Sequence, residues 1–531
     1  MANKSLFASL MGKMMPRADA RNNAGGVAYA MTSKQALAQY AVTGCFNGTF
    51  YADADEQLAK VIELARDVEP EFVARVALYA RTKGNMKDTP AVLVVLLSVV
   101  SPGLMAEVFD RVIDSPRMLR SFVQIVRSGV VGRKSLGTLP KRLVIRWIES
   151  RSDEQIFRAS VGANPSLADV IRMVHPKPTT ATRAALFGYL VGKPHDATEL
   201  PQLVKDFESF KANPSSFGGD ALPDVPMEML TSLALQKPHW KALALKASWQ
   251  TLRMNLNTFA RQGVFDDPST VQRVAAKLRD AQAIARSRVF PYQLMAAFTN
   301  VGKNVPSEIR EALQDAMEIA IGNVPTIDGK VWVFPDVSGS MQSPVTGYRK
   351  GSSSKVRCID VAALVAAAVV RKNPGAGVLP FSDGVVTMTP ALNPRDSVMT
   401  NAQRLALLPS GGTNCAAPLA ELNRQRLRGD LLIYVSDNES WINSNGANAL
   451  RGTTETMVQW REFKRRNPKA KLVCLDVQPA GTTQAPTSGD VLNIGGFGDS
   501  VFSVIAEFNN GTLNPDHWVY VIEKESIRVM S

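Results

Sequence analysis

Five side chains on three separated turns carry the candidate chemistry of this sequence. The run Val331-Trp332-Val333-Phe334-Pro335-Asp336-Val337-Ser338-Gly339-Ser340-Met341 passes from apolar residues into Asp-x-Ser-x-Ser. One carboxylate and two hydroxyls thereby share a short turn. Gly411-Gly412-Thr413-Asn414-Cys415 offers a further hydroxyl at Thr413, and the apolar run from Leu431 to Ser436 ends in a second carboxylate, Asp437. Such oxygens suit a hard divalent cation. Mg²⁺ takes about six oxygens at roughly 2.0–2.1 Å and keeps several waters. The Asp-x-Ser-x-Ser turn alone is therefore half a shell, and a weak signal, until the other two turns join it. Mg²⁺ is the first expectation; Mn²⁺ and Ca²⁺ are alternatives. The same residue types also cap helices and form turns in any doubly wound domain.

The elements that must position these turns alternate regularly. Strands are predicted at Val331–Phe334, Gly377–Phe381, Leu431–Val435, Lys471–Val477 and Trp518–Ile522. Helices are predicted between them, at Val356–Lys372, Ala416–Arg426, Asn448–Arg466 and Ser500–Phe508. Strand–helix alternation predicts a mostly parallel sheet covered on both faces, and ligands of such sheets bind at the C-terminal strand edge. Strand–Asp, Gly-Gly-Thr and strand–Asp in this order resemble the metal-ion-dependent adhesion site (MIDAS) of von Willebrand factor A domains, over about Asp328 to Ser531. The resemblance implies that Asp336, Ser338, Ser340 and Thr413 lie at or near the metal, with Asp437 bound directly or through water. It also implies an open coordination position for the carboxylate of a protein ligand.

Upstream the pattern is different. From about Ser33 to Ile321 short amphipathic helices follow one another, among them Pro70–Lys83, Ala91–Val100, Leu104–Ile113, Met118–Ser128, Leu139–Ile148 and Ala181–Leu190. Longer candidates are Lys241–Gln262 and Pro268–Arg286. Each is too short to be stable alone and must pack on its neighbours. Stacked helix pairs predict a HEAT-type α-solenoid, with a plain multi-helix bundle as the alternative. Residues 1–30 read as a flexible arm, 31–325 as the helical domain and 326–531 as the A-like domain. The fold class is thus α plus α/β, multidomain.

At 531 residues the chain predicts two to four domains. No stretch approaches 18 uninterrupted apolar residues, so no membrane span is expected. Leu6 to Leu10, broken by Gly12 and Lys13, is too short for a secretory signal. Cys45, Cys358, Cys415 and Cys474 are far apart with no C-x-x-C pair, which fits free thiols in a reducing cytoplasm.

The net charge of +13 is uneven. Arg111 to Arg183 holds 14 basic and 5 acidic residues, an excess of +9. A concentrated basic stretch fits a polyphosphate partner, or simply a solvated cationic face. The surrounding motifs are Thr43-Gly44-Cys45-Phe46-Asn47-Gly48-Thr49-Phe50-Tyr51, Tyr79 to Pro90, Gly132-Arg133-Lys134-Ser135-Leu136, Lys141-Arg142 with Arg146-Trp147, and Asp169 to Pro178. Together with the A-type domain they resemble the TROVE module of the Ro ribonucleoprotein autoantigen family, most of all its bacterial Ro sixty-related members. The resemblance implies a ring of HEAT-like repeats closed by the A domain. It implies Y RNA or a Y-like small noncoding RNA on the outer surface, and 3′ ends of misfolded structured RNA or rRNA in a central hole. Partnership with polynucleotide phosphorylase in RNA quality control and stress response is likewise implied.

Arg133, Lys134, Lys141, Arg142, Arg158, Arg172, His175 and Lys177 are the candidate RNA contacts. The Arg and Lys charges neutralise phosphates and release counterions, His175 can stack on a base or donate to phosphate, and the family motif places Arg158 and His175 among its contact positions. His175, before Pro176, also reads as a helix-end histidine. Gly162 stands where the family pattern expects a basic residue, with Arg151 or Arg172 able to compensate. Phe122, Trp147 and Phe157 are spaced for a core rather than for base stacking. A second basic run, Arg461 to Lys471, suits a helix C-terminus or an auxiliary RNA surface. The leading reading is a non-enzymatic RNA-binding scaffold. A metal-dependent protein-adhesion module is the alternative. A Mg²⁺-dependent ribonuclease is weaker, because two-metal chemistry needs more carboxylates than Asp336 and Asp437, with Asp383 and Glu439 the nearest recruits.

Overall fold

The computed structural model describes residues 16–44, 46–287, 289, 291–324, 326–348, 355–442, 452–496, 499–511 and 517–528. Contacts divide the chain into two compact units. The first combines Met1–Phe72, Phe290–Met295 and Ile321–Glu525; the second combines Val73–Val289, Ala296–Ala320 and Ser526–Ser531. The compact units thus do not follow the sequence boundary at Thr326, because the first 72 residues pack with the α/β part.

The first unit is built on five parallel strands: β3 (Val331–Pro335), β4 (Gly377–Val378), β5 (Leu431–Ser436), β6 (Lys471–Asp476) and β8 (Val491–Gly495). Their order across the sheet is β4-β3-β5-β6-β8. The order reverses between β3 and β5, and such a switch point opens a crevice at the C-terminal strand ends. β5 is buried throughout, Leu431 to Ser436, as a central strand covered on both faces must be. Phe334 and Phe381 meet the Tyr434 ring edge-on at 4.7 and 5.7 Å. The helix Cys358–Lys372 is apolar nearly all round and buried from Cys358 to Val370, packed on β3 and on the helix Val398–Ala406.

Two expectations fail here. Trp518–Ile522 is not a strand but part of the helix His517–Glu523, and the last sheet position is taken by β8. A short apolar run does not declare its own period; Trp518, Val519 and Ile522 are buried while Tyr520 is exposed, which is a helical face. The flexible arm is also wrong over residues 20–30. β1 (Ala20–Arg21) and β2 (Val27–Ala30) form an antiparallel hairpin, and β2 pairs with β7 (Thr482–Thr483). Tyr29 is buried there with its hydroxyl 2.9 Å from Thr453 Oγ1. Residues 1–15 lie outside the described residues. The expected helix Asn448–Arg466 is seen as Glu455–Arg466, its start also lying outside them.

The second unit is helical. Asp88–Val100, buried from Thr89 to Ser98, packs against Pro102–Val112 and Pro116–Ser128. Leu167–Val174 packs against Pro116–Ser128, Thr138–Glu149 and Ala181–Val191. Trp147 is fully buried and its indole N–H donates to Ile113 O at 2.7 Å. The long predicted helices are broken. Lys241–Gln262 becomes Lys237–Lys246, Trp249–Met254 and Leu256–Arg261, and Pro268–Arg286 becomes Pro268–Leu278 and Ala281–Ser287. Ser248 Oγ accepts from Thr251 N and Asp280 Oδ1 from Ala283 N, so two of the three breaks are local caps that the apolar period does not show, while Asn255 makes no side-chain cap at the third. Among the described residues no helix is long and apolar enough to cross a membrane. Cys358, Cys415 and Cys474 are buried and unpaired; Cys45 is outside the described residues.

Candidate metal centre and nucleic-acid interface

The three predicted turns meet at the switch point, and backbone bonds tie them together. Asp336 follows β3 and its N–H donates to Val435 O at 3.0 Å. Gly339 N–H donates to Gly411 O at 2.9 Å, joining the first turn to the second. Trp441 N–H donates to Thr413 O at 3.1 Å, joining the second to the third. From below, the Tyr434 hydroxyl donates to Cys415 O at 2.7 Å and fixes the Gly-Gly-Thr turn to the sheet. Asp383 Oδ1 accepts from Gly412 N at 2.9 Å, and a Cβ at Gly411 would stand 2.2 Å from Asp383 Oδ2. The Gly-Gly-Thr turn thus lets the Asp383 carboxylate approach its backbone closely.

Asp336, Ser338, Ser340, Thr413 and Asp437 are all buried. Asp336 Oδ1 accepts from Ser338 N at 2.8 Å and Oδ2 from the Ser436 hydroxyl at 2.6 Å. The Ser338 and Ser340 hydroxyls lie 3.2 Å apart. Asp437 Oδ1 accepts from Glu439 N at 3.3 Å, while its Oδ2 is buried without a hydrogen-bond partner. Burial, and then the charge of Asp437, pushes Asp336 up to about 7. Burial raises Asp437 also. Paired buried carboxylates with an orphaned oxygen and hydroxyls beside them are a poor arrangement for protons and a good one for a cation. The donor set fits a hard divalent ion of the Mg²⁺ type, held by carboxylate and hydroxyl oxygens. Groups of three or more His, Cys, Asp or Glu able to hold a metal are absent among the described residues, so the hydroxyls are essential to this fit.

Sequence reading missed much of the surround. Glu439 is buried and held by Asn23 Nδ2 at 2.8 Å and Ala24 N at 3.2 Å from the hairpin turn; burial and then Asp437 raise it to about 7. Asp476, at the end of β6, accepts from Gln39 Nε2 and Asn438 Nδ2, and burial followed by Asp437 and Glu439 raises it well above the carboxylate range. The carboxylate ending β6 was the available signal, in a strand already predicted. Tyr51, in the Thr43–Tyr51 motif, is raised by burial and by Asp437, with Ser340 beside its hydroxyl. No local pattern announces that contact.

The predicted RNA contacts divide in two. Arg133 donates to Ser98 O at 2.9 Å and Ser135 O at 2.8 Å. Arg158 donates to Asp224 O and Oδ2, both at 2.7 Å, and pairs with Glu154 at 3.4 Å. Arg172 donates to Val191 O at 2.7 Å and pairs with Asp169 at 3.1 Å. Lys134, Lys141, Arg142, His175 and Lys177 make no hydrogen bond or ion pair through their side chains among the described residues, and all but the half-buried Lys141 are exposed. His175 is indeed a helix-end residue, left-handed at φ 49° with its backbone N–H on Ile171 O, and its ring faces solvent. Of the two residues expected to compensate for Gly162, Arg151 stacks on the Trp147 ring at 3.3 Å and Arg172 is bonded as above. Arg120 is there instead, its Nη2 2.4 Å from where a Cβ on Gly162 would be. Phe122, Trp147 and Phe157 are buried core, as their spacing predicts. In the second basic run, Lys464 pairs with Asp490 at 3.1 Å, Arg465 with Glu462 at 2.7 Å, and Lys471 donates to the Phe508 and Asn509 carbonyls. Those cations serve a helix end and its neighbours.

Residues 330–509 match the family model described as the Ro60 vWA domain. The RNA-binding protein RO60 of Deinococcus radiodurans is 25% identical over 527 residues, covering 92% of this chain and 95% of that protein. The RNA-binding protein RO60 of Caenorhabditis elegans is 24% identical over 258 residues, 46% of this chain and 38% of that protein. The crystal structure of the Deinococcus radiodurans RO (RSR) protein superposes with a TM-score of 0.60 at 21% identity, over 91% of this chain and all of that one, and shows the same fold. Helical and α/β parts in this order, a matched vWA domain and an alignment along almost the whole length make the chain similar to the Ro60 proteins from end to end.

Proposed function

We propose that this chain is a non-catalytic RNA-binding scaffold whose helical unit holds a folded RNA by its phosphates. The observation that carries the reading is the set of cations with no internal partner among the described residues, Lys134, Lys141, Arg142 and Lys177, together with the solvent-facing ring of His175. Unpaired surface cations release counterions from RNA on binding, whereas paired ones must first break a bond. The relatives' name, RNA-binding protein RO60, supports it. The RNA class is a Y-like small noncoding RNA, together with misfolded structured RNA or rRNA ends, presented in the cytoplasm to an exoribonuclease of the polynucleotide phosphorylase type.

Asp336, Ser338, Ser340, Thr413 and Asp437 hold a divalent cation, Mg²⁺ by preference. Bound there, it neutralises the two carboxylates and offers an open position to a ligand carboxylate. The orphaned Asp437 oxygen supports this second, coexisting role as a protein-docking site. Purified protein should carry nucleic acid, read from its absorbance ratio and identified by crosslinking and sequencing. Protein free of RNA that binds none at 50 mM salt overturns the scaffold. RNA degradation that needs Mg²⁺ and is lost in Asp336→Ala would make it a nuclease instead.

A further inference from the structure

We infer that the helix Pro116–Ser128 is a phosphate track in its own right, with Arg117, Arg120 and Arg127 forming a ridge that grips an RNA backbone. This deepens the RNA-binding reading and rests on it. The helix is sharply two-faced. Met118, Leu119, Phe122, Val123 and Val126 are buried, while Arg117, Arg120, Gln124 and Arg127 follow at spacings of three, four and three along the other side. Ser115 caps the start, accepting from Met118 N at 3.4 Å, and Gly129 ends the helix in the left-handed region at φ 80°. The ridge therefore has a fixed frame. From Arg117 to Arg127 it rises about 15 Å, close to one cation per turn.

Like Lys141 and Arg142, the ridge has no counter-ion among the described residues, whereas other cations nearby are paired. On neighbouring helices Arg81 pairs with Asp114 at 2.8 Å, Arg146 with Asp110 at 2.7 Å, and Arg183 with Asp153. Arg117 and Arg127 are exposed and make no hydrogen bond or ion pair among the described residues. Arg120 is half-buried, and its one bond is a long 3.5 Å contact to Ala159 O. Burial and then Arg117 hold the Arg120 guanidinium below its ordinary range. Lys87 adds to the local field: burial, then Arg117 and Arg81, lower its amine, with Asp88 and Asp114 opposing. A half-desolvated guanidinium beside a second cation and without a carboxylate favours an external anion.

The glycine at 162 makes room for it. Gly162 sits at φ 102°, and any Cβ there would stand 2.4 Å from Arg120 Nη2 and 2.7 Å from its Cζ. The guanidinium is thus laid over the turn that follows the helix Asp153–Ala159. Guanidinium forks match phosphate oxygens in pairs. The ridge carries no aromatic side chain, so the contact reads backbone and shape, not base sequence.

The test uses the full chain and a fluorescein-labelled RNA hairpin with a single-stranded 3′ tail, followed by fluorescence anisotropy at several salt concentrations. Arg117→Gln, Arg120→Gln and Arg127→Gln together should weaken binding at least about tenfold at low salt, and flatten the slope of log K against log salt by about 2 to 3. Thermal melting checks the fold. Arg117→Gln and Arg127→Gln singly, both on exposed side chains, should each flatten the slope by about 1 without touching the core. Unchanged affinity and slope in these variants, with the wild type still binding, overturn the ridge and leave the scaffold reading standing. A wild type that binds no hairpin removes both. Poly-glutamate of equal charge competing as well as RNA would overturn the ridge in favour of an acidic protein.

Discussion

The metal turns and the basic helices solve opposite electrostatic problems. At the switch point of the sheet, two carboxylates are buried together and one of their oxygens has no partner. On the helical unit, several cations are left at the surface with no carboxylate to meet them among the described residues. The first region concentrates like charge in low dielectric, where a small ion of high charge is the economical answer. The second spreads like charge in water, where only a long polyanion meets several cations at once. Geometry follows the same division. The three turns at the switch point are locked by backbone bonds such as Gly339 N to Gly411 O, whereas the basic helices need only present one face.

The largest expected effect lies on the surface. Charge reversal at Lys141, Arg142 and Lys177 together should weaken RNA binding by several kcal/mol at 50 mM salt, with melting unchanged, since none of the three has an internal bond. An equal loss at 50 and 500 mM salt would break the comparison by showing that these are not phosphate contacts. In the metal region, Mg²⁺ at about a hundred times its dissociation constant should stabilise the protein by about 2.7 kcal/mol. Asp336→Asn should abolish that response in a melting experiment and raise the stability of the chelated protein, because one of two repelling carboxylates is gone.

A pH series in chelator sharpens this. The folded-state value of Asp336 is raised, so the folded chain binds the extra proton, and stability should fall as pH rises from about 4 through about 7. Each such proton contributes a slope of up to about 1.4 kcal/mol per pH unit, and saturating Mg²⁺ should remove it. Flat stability over that range would mean that Asp336 is neither desolvated by burial nor opposed by Asp437. The smallest effect is at Arg158. Its pairs with Asp224 and Glu154 are largely exposed, so Arg158→Ala should cost at most about 1 kcal/mol of stability, and less RNA affinity than Arg142→Ala.

Legibility tracked the range of the interactions. Val331 to Met341 shows strand, turn and ligand in one line, because the chemistry and the element that holds it are adjacent in sequence. The helix at Trp518 was misread as a strand, and β8 was not assigned, because an apolar run of five residues has no period of its own. The hairpin over residues 20–30 was missed because its partner, Thr482–Thr483, lies more than four hundred residues away. Among the cations, composition located the stretch from Arg111 to Arg183 but could not say which members were spent on internal bonds. Arg158 and Arg172 looked as available as Lys141 until Asp224 and Val191 came beside them.

By itself, then, the amino-acid order determined which oxygens could bind a cation, where the helical chemistry ends and the strand–helix alternation begins, and that positive charge is concentrated in one segment. Those are properties of neighbours along the chain. Tertiary structure alone decided that Asp336 and Asp437 would be buried side by side, that Glu439 would be gripped by Asn23 and Ala24, and that Arg120 would lie over Gly162. Each depends on burial and on a partner distant in sequence, and both exist only after the chain has closed on itself.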